Sequence, residues 1–360
     1  MIRSRRNLAR LILALASVVI AALILFAVEL ITRATQPYVN PMGVFSTAPV
    51  LLQSISDQHN RVVFEYDPER TWRLRPNLRN KPGVGTMIVA TNAQFMRMDH
   101  DIAPKKPGQL RVICMGDSVS FGCCVPFYWE GKWNAEERFY AEILQRTLSE
   151  KLPERQPEVI LLACPGYSST QGRLWLEQVI DEYQPDIITA CYGWNDIYEA
   201  GLTDRQTMPQ TGTERFARHL ADKSQVFTKL VHWRNQRVAA KEPISFGLPR
   251  TNIEDYLRNF LLMNETARAA GAKFAIIGPV YRDSKVEPQE SERITFYRKK
   301  LGHLADAMKV PFLLIPELTE EHHPANNNLF ADPSHPGARG HAIMGERISG
   351  LVLDMVSKMP

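Results

Sequence analysis

Residues 110–118 read LRVICMGDS, a short run that is apolar apart from Arg111 and that leads straight into Gly116-Asp117-Ser118. Four more runs of the same kind follow it: EVILLA (158–163), DIITAC (186–191), KFAIIG (273–278) and VPFLLI (310–315). All are continuous rather than alternating in hydrophobicity, as strands covered on both faces of a parallel sheet are. Amphipathic stretches that read as helices lie at 133–151, 170–183, 252–270, 291–308 and 338–357. In the third, Ile253, Tyr256, Leu257, Phe260 and Leu261 repeat at the spacing of one buried helical stripe, and Asn252 and Gly271 bracket it as caps. Strand and helix alternating five times predict an α/β fold: a doubly wound, flavodoxin-like, five-stranded parallel sheet flanked by helices and joined by right-handed crossovers. Residues 197–250 break this rhythm and read as an insertion, partly helical from 213 to 240.

In such a sheet, functional residues gather beyond the carboxyl ends of the strands. There the first run delivers Asp117-Ser118 and the second Cys164-Pro165-Gly166-Tyr167-Ser168-Ser169. The third delivers Tyr192-Gly193-Trp194-Asn195-Asp196. A polar loop after the fifth holds Asp332-Pro333-Ser334-His335-Pro336 just before the last helix. Each piece has a plainer reading beside the functional one: Asp117 or Ser118 as a helix cap, Gly166 and Asn195 as turn residues, Asp332 and His335 as a surface turn. Their convergence on one edge, in this order, favours function.

The whole chain has 360 residues, 44% hydrophobic and 23% charged, which excludes disorder, collagen and coiled coil. At about 100 to 200 residues per domain there is room for one large domain or two ordinary ones. The net charge of +4 resides in Arg3, Arg5, Arg6 and Arg10; without them 39 basic residues face 39 acidic ones. A nucleic-acid partner is therefore not expected. After these arginines, LILALASVVIAALILFAV (11–28) carries no charge and is long enough to cross a bilayer. An uncleaved anchor is the preferred reading over a cleaved signal peptide or a buried core helix, since the run exceeds a signal core and no A-x-A site follows closely. The basic N-terminus stays in the cytoplasm, so everything after about residue 32 is exported. The expected organisation is a cytoplasmic tip and transmembrane anchor (1–32), a linker with short strands (33–108), and a catalytic domain (109–360) carrying the insertion.

Five cysteines, an odd number, leave at least one outside any intrachain disulfide; Cys114, Cys164 and Cys191 read as small buried hydrophobes. His322, His323, Asp332, His335 and His341 make a histidine-rich tail without recognised ligand spacing, so neither a metal nor a cofactor is expected. No P-loop or G-x-G-x-x-G occurs. Tyr128, Trp129, Trp133, Trp194, Tyr198 and Trp233 fall near the motifs or in the insertion as sugar-stacking, acyl-pocket or core residues.

Over roughly 110–355 the chain resembles the SGNH, or GDSL, hydrolase family, through GDSVSFG (116–122), CPGYSS (164–169), GWND (193–196) and DPSHP (332–336). It is most similar to membrane-anchored or exported bacterial members. The resemblance places the family's four named residues on Ser118, Gly166, Asn195 and His335, with Asp332 as the acid. Cys164 stands where many members carry asparagine, and Cys123-Cys124 where small residues are usual.

The side chains fit that chemistry. Ser118 needs a base, and His335 supplies one if Asp332, three residues earlier on a tight turn, accepts a hydrogen bond from Nδ1–H and leaves Nε2 for the serine. The Ser118 N–H, the Gly166 N–H and the Asn195 amide are the candidate oxyanion hole. The expected protein is a membrane-tethered serine esterase acting on acyl esters, O-acetyl included, of an envelope glycan or a lipid-like molecule. The alternatives are an O-acyltransferase using the same acyl-serine, and a catalytically silent carbohydrate-binding or assembly protein on this fold.

Overall fold

The computed structural model describes residues 2–45, 62–83, 88–125, 138–241, 247–282, 287–319 and 328–359. The chain divides into two compact units, one formed by residues 1–46, 66–71 and 209–244 and the other by the remainder.

The larger unit contains the sheet. Its strands are β1 (Arg111–Gly116), β2 (Glu158–Ala163), β3 (Ile187–Cys191), β4 (Lys273–Ile277) and β5 (Phe312–Leu313). They run parallel in the order β5-β4-β3-β1-β2, the flavodoxin-type winding expected from sequence. β1 is buried along its whole length although it opens on an arginine. Arg111 can be there because its guanidinium is fully paired: Nε and Nη2 donate to Glu158 at 2.8 and 2.6 Å, and Nη1 donates to the Tyr183 carbonyl at 2.7 Å. The fifth strand is shorter than its six-residue apolar run. Only Phe312 and Leu313 pair, with Ile276 and Ile277, and both are half-buried, unlike β2 at the opposite edge, which is buried from Val159 to Ala163.

The connecting helices are α2 (Ser118–Phe121), α3 (Tyr140–Lys151), α4 (Ser169–Tyr183), α5 (Trp194–Ile197), α8 (Ile253–Ala269), α9 (Pro288–Met308) and α10 (Ala338–Ser357), while α1 (Ile2–Thr35), α6 (Gly212–Lys223) and α7 (Gln225–Lys241) belong to the smaller unit. α8 starts where the stripe predicts. Asn252 Oδ1 accepts the Asp255 N–H at 2.8 Å, and Gly271 ends it with φ +77°. α3 packs along α10, and α4 along α8. Of the helix expected at 133–151, residues 133–137 lie outside the described residues, and Phe139 is extended, so the helix begins at Tyr140 rather than earlier.

The ends of the insertion are zipped together, Glu199–Ala200 pairing antiparallel with Leu248–Pro249. Its body forms α6 (Gly212–Lys223) and α7 (Gln225–Lys241), which belong to the smaller unit together with α1 (Ile2–Thr35). In α1 the 24 residues Ile12–Thr35 are long and apolar enough to cross a membrane, and none is buried. The buried-core-helix alternative therefore does not describe it. Among the described residues the five cysteines form no disulfide; Cys114, Cys123, Cys164 and Cys191 are buried and Cys124 is exposed.

Candidate active site

The carboxyl ends of three strands lie side by side, Gly116 of β1 pairing with Ala163 of β2 and Cys191 of β3. Asp117-Ser118, the turn at 164–167 and the Tyr192–Asp196 segment therefore leave the sheet at one rim. Glycine is required at 116, because a Cβ there would overlap the Ser120 side chain and lie 2.7 Å from the Cys191 carbonyl oxygen. Ser118 is buried and opens α2, so its N–H is among the helix-start donors without an intrahelical acceptor.

Asp117 caps α2 and also reaches β3's end. Its Oδ1 accepts the Val119 N–H at 2.9 Å, and its Oδ2 accepts one proton of the Asn195 amide at 3.1 Å. This bond fixes which way the amide faces and leaves the second Nδ2 proton to point elsewhere. Burial pushes the Asp117 carboxyl up to about 6, against the opposing pull of the Val119 N–H, His335 and Asn195. The capping reading of Asp117 is thus correct, and the same carboxylate also binds the Asn195 amide.

The CPGY segment is a turn closed by the Tyr167 N–H donating to the Cys164 carbonyl at 3.2 Å, with Pro165 second and Gly166 third at φ +80°. A left-handed third residue after proline defines a type II turn and demands glycine. Both peptides flanking Gly166 are held. Trp72 Nε1 donates to the Pro165 carbonyl at 3.1 Å, and Arg250 Nη1 donates to the Gly166 carbonyl at 2.7 Å. The Pro165–Gly166 peptide is trans, so clamping its carbonyl toward Trp72 aims the Gly166 N–H the opposite way. Arg250 is buried and also donates to Asp204 at 3.1 and 2.8 Å and to Gln171 at 2.8 Å. The Ser168 hydroxyl closes this network on Asp204 at 2.5 Å.

The fourth segment is a closed turn. Phe330 bridges Pro336, and the Ala331 N–H donates to the His335 carbonyl at 2.9 Å. Within it His335 Nδ1 meets Asp332 Oδ2 at 2.7 Å, while Asp332 Oδ1 accepts the N–H groups of Ser334 and His335 at 2.9 and 2.8 Å. Partial burial alone would raise the Asp332 carboxyl, but these hydrogen bonds and the adjacent imidazole bring it down to about 2. With Nδ1 engaged, the accepting nitrogen of a neutral His335 is Nε2.

The Ser118 segment approaches this turn through the loop after α2. The Cys123 N–H donates to the Ser118 carbonyl at 3.0 Å, and Cys124 Sγ lies 4.0 Å from Asp332 Oδ2. The structure thus joins Asp332 to His335 and Asn195 to Asp117. Among the described residues the Ser118 hydroxyl forms no hydrogen bond with His335. Such contacts often tighten only once substrate is bound. Cys124, Asp332 and His335 each place one possible ligand atom within 4.8 Å of the others, so a cation there would compete for the atoms that pair Asp332 with His335.

The sequence reading missed several supporting residues. Asp196 accepts the Ser169 N–H at 3.0 Å and its hydroxyl at 2.6 Å, with burial pushing its carboxyl up to about 7. Arg97 donates to the carbonyls of Phe121, Gly122 and Val125 from between the Phe121 and Phe139 rings, and burial lowers it to about 10. The short-strand extension therefore supplies Trp72 and Arg97 to the rim. Only the partner each would find was invisible, since neither stands in a motif. Of the histidine-rich tail, His322 and His323 lie outside the described residues, as do Tyr128, Trp129 and Trp133. His341 is a core residue: it stacks on Tyr140 with centroids 6.2 Å apart, and burial drives it down to about 3. Trp194 is buried with its Nε1 on the Tyr198 hydroxyl at 2.8 Å.

The sequence profile of the GDSL-like lipase/acylhydrolase family matches residues 114–343. No curated protein matches the chain. Among solved structures, a GDSL-like lipase from Bacteroides thetaiotaomicron is 15% identical, over 71% of this chain and 93% of that one, with a TM-score of 0.41. An acetylxylan esterase from Geobacillus stearothermophilus is 15% identical over 66% and 92%, with a TM-score of 0.43. An alpha/beta hydrolase from the metagenome of Lake Arreo, Spain, is 15% identical over 67% and 95%, also with a TM-score of 0.43.

Proposed function

The chain belongs to the GDSL-like lipase/acylhydrolase family, and on that premise we propose that it is a membrane-anchored serine esterase that removes acyl groups, O-acetyl groups included, from an envelope glycan or a lipid-like ester. In this reading residues 1–32 are the cytoplasmic tip and anchor, 33–108 the linker and extension, and 109–360 the exported catalytic domain.

Ser118 Oγ attacks the ester carbonyl as His335 Nε2 takes its proton, and Asp332 stabilises the imidazolium through Nδ1. Negative charge collects on the former carbonyl oxygen, where the Ser118 N–H, the Gly166 N–H and the second proton of the Asn195 amide receive it. Each such donor contributes about 2.7–4 kcal/mol at the transition state. Collapse breaks the bond to the leaving alcohol, which departs with the proton from His335. Water then repeats the sequence on the acyl-serine, releasing the acid and restoring Ser118.

The observation that carries this reading is the Asp332–His335 pair, 2.7 Å apart, on a turn that touches the loop leaving Ser118. The test is hydrolysis of short-chain p-nitrophenyl esters by the detergent-solubilised full chain beside Ser118→Ala and His335→Ala. Loss of activity in both, with unchanged circular dichroism, is expected. Activity surviving Ser118→Ala removes it as nucleophile. An acceptor sugar in the same assay separates hydrolysis from acyl transfer.

A further inference from the structure

We propose that α6 and α7 form a membrane-contact surface that rests on the anionic headgroups of the leaflet from which α1 emerges; the proposal builds on the reading of α1 as an anchor. The smaller unit joins the end of the apolar helix to the junction of these two helices. Glu29, the residue that ends the uncharged run, accepts hydrogen bonds from the Ser224 hydroxyl at 2.8 Å, the Gln225 N–H at 2.8 Å and the Val226 N–H at 3.1 Å. A carboxylate on the first N–H groups of α7 is a favourable helix-start partner. Arg33 pairs with Glu29 at 2.6 Å and donates to the Lys223 carbonyl, the last residue of α6, at 2.8 Å. The segment following α1 continues along α7: Gln225 exchanges hydrogen bonds with the backbone of Val39, and Asn235 donates to the Val44 carbonyl at 3.0 Å. If α1 spans the bilayer, a charged pair at its end sits at headgroup depth, and so does the α6–α7 junction bound to it.

What these helices expose fits that position. Phe216 and Leu220, four apart on α6, are 68% and 36% exposed; Leu230 and Trp233, three apart on α7, are 58% and 51% exposed. The guanidinium of Arg237 lies 3.7 Å from the Trp233 ring centre. Between 212 and 241 the sequence holds seven Lys or Arg residues against two acids, whereas the chain beyond its first ten residues is neutral; of the seven, Arg218 is buried and Arg215 pairs with Glu69 at 3.1 Å. Large apolar and aromatic side chains interleaved with cations are the composition of a helix lying in the interface of an anionic bilayer.

The test places the full-length protein in nanodiscs of phosphatidylcholine, with or without phosphatidylglycerol, in which the acyl chains are brominated near the headgroup. Tryptophan quenching is compared between wild type and Trp233→Phe, an exposed substitution that keeps an aromatic ring. A quenched, blue-shifted component that disappears in Trp233→Phe and grows with phosphatidylglycerol is expected. Equal quenching in the two proteins overturns the proposal, and quenching indifferent to phosphatidylglycerol overturns the anionic partner. Failure of the wild type to enter nanodiscs at all counts against the anchor itself. Incorporation without a Trp233 component counts against this surface alone.

Discussion

Replacing Asp117 by Asn isolates the step on which the oxyanion hole depends. Asp117 offers one carboxylate oxygen to the Val119 N–H and the other to the Asn195 amide. An asparagine side chain has a single acceptor for these two donors. The Val119 N–H is a fixed backbone group, whereas the Asn195 amide can rotate, so the new side chain keeps the cap and turns its NH2 toward Asn195. That amide then presents its oxygen and loses its aim. Misdirecting one oxyanion donor costs about 2.7–4 kcal/mol, roughly a hundred- to a thousandfold in kcat. Stability moves the other way. The Asp117 carboxyl rises from 3.8 to about 6 on folding, so the native state binds its proton more tightly than the unfolded chain does. Its contribution to stability is full below about pH 4 and is lost as pH rises through about 6, leaving wild type roughly 3 kcal/mol worse off at pH 8. The neutral amide removes that penalty and gives up one charged hydrogen bond, about 1.5–3 kcal/mol. Thermal melts should therefore favour Asp117→Asn over wild type more at pH 8 than at pH 4, where the wild-type carboxyl is already protonated. Steady-state hydrolysis of p-nitrophenyl acetate should show the hundredfold fall in kcat. A kcat within threefold of wild type at pH 8 refutes the argument.

The other predictions concern the supports around that rim. Trp72→Phe keeps the ring but deletes the donor to the Pro165 carbonyl, and kcat should fall about tenfold with KM unchanged; a change confined to KM would contradict the role in aiming Gly166. Arg250→Met leaves Asp204 buried without its cation, and denaturant titration should show a loss of about 3–5 kcal/mol. Gly345→Ala would put a Cβ 2.6 Å from Ile143 Cβ where α10 crosses α3, destabilising the fold by about 1–3 kcal/mol in the same titration while leaving KM untouched.

Much of this protein is readable along the chain because its signals are short-range. Continuous apolar runs, a helical stripe and its Asn252 and Gly271 caps depend on neighbours a few residues apart, and they place four of the five strands almost to the residue. Strand ends converge on one rim in any parallel sheet, so Ser118, Gly166 and Asn195 could be named as partners before any coordinate. The Asp332–His335 pair is legible for the same reason: three residues on a closed turn bring the two side chains together locally. The fifth strand is where this reasoning overran, since hydrophobicity marks the six residues that are apolar and says nothing of how far the single neighbour β4 extends.

The polar residues that hold the site answer to a different rule. Trp72 and Arg250 act on carbonyls 93 and 84 positions away, and Arg97 on carbonyls 24 to 28 positions away. Nothing about tryptophan or arginine in isolation says which carbonyl lies within reach of its N–H, because that distance is the sum of every packing decision between them. Likewise, charge counts identify Glu29 only as an acid after an apolar run; tertiary structure sets it on the first turn of α7. Local pattern determined the fold class, the candidate nucleophile and the candidate acid–base pair. Which donors hold the oxyanion groups in place, and what the insertion is fastened to, were decided only when buried hydrogen-bonding groups from distant parts of the chain had to find one another on folding.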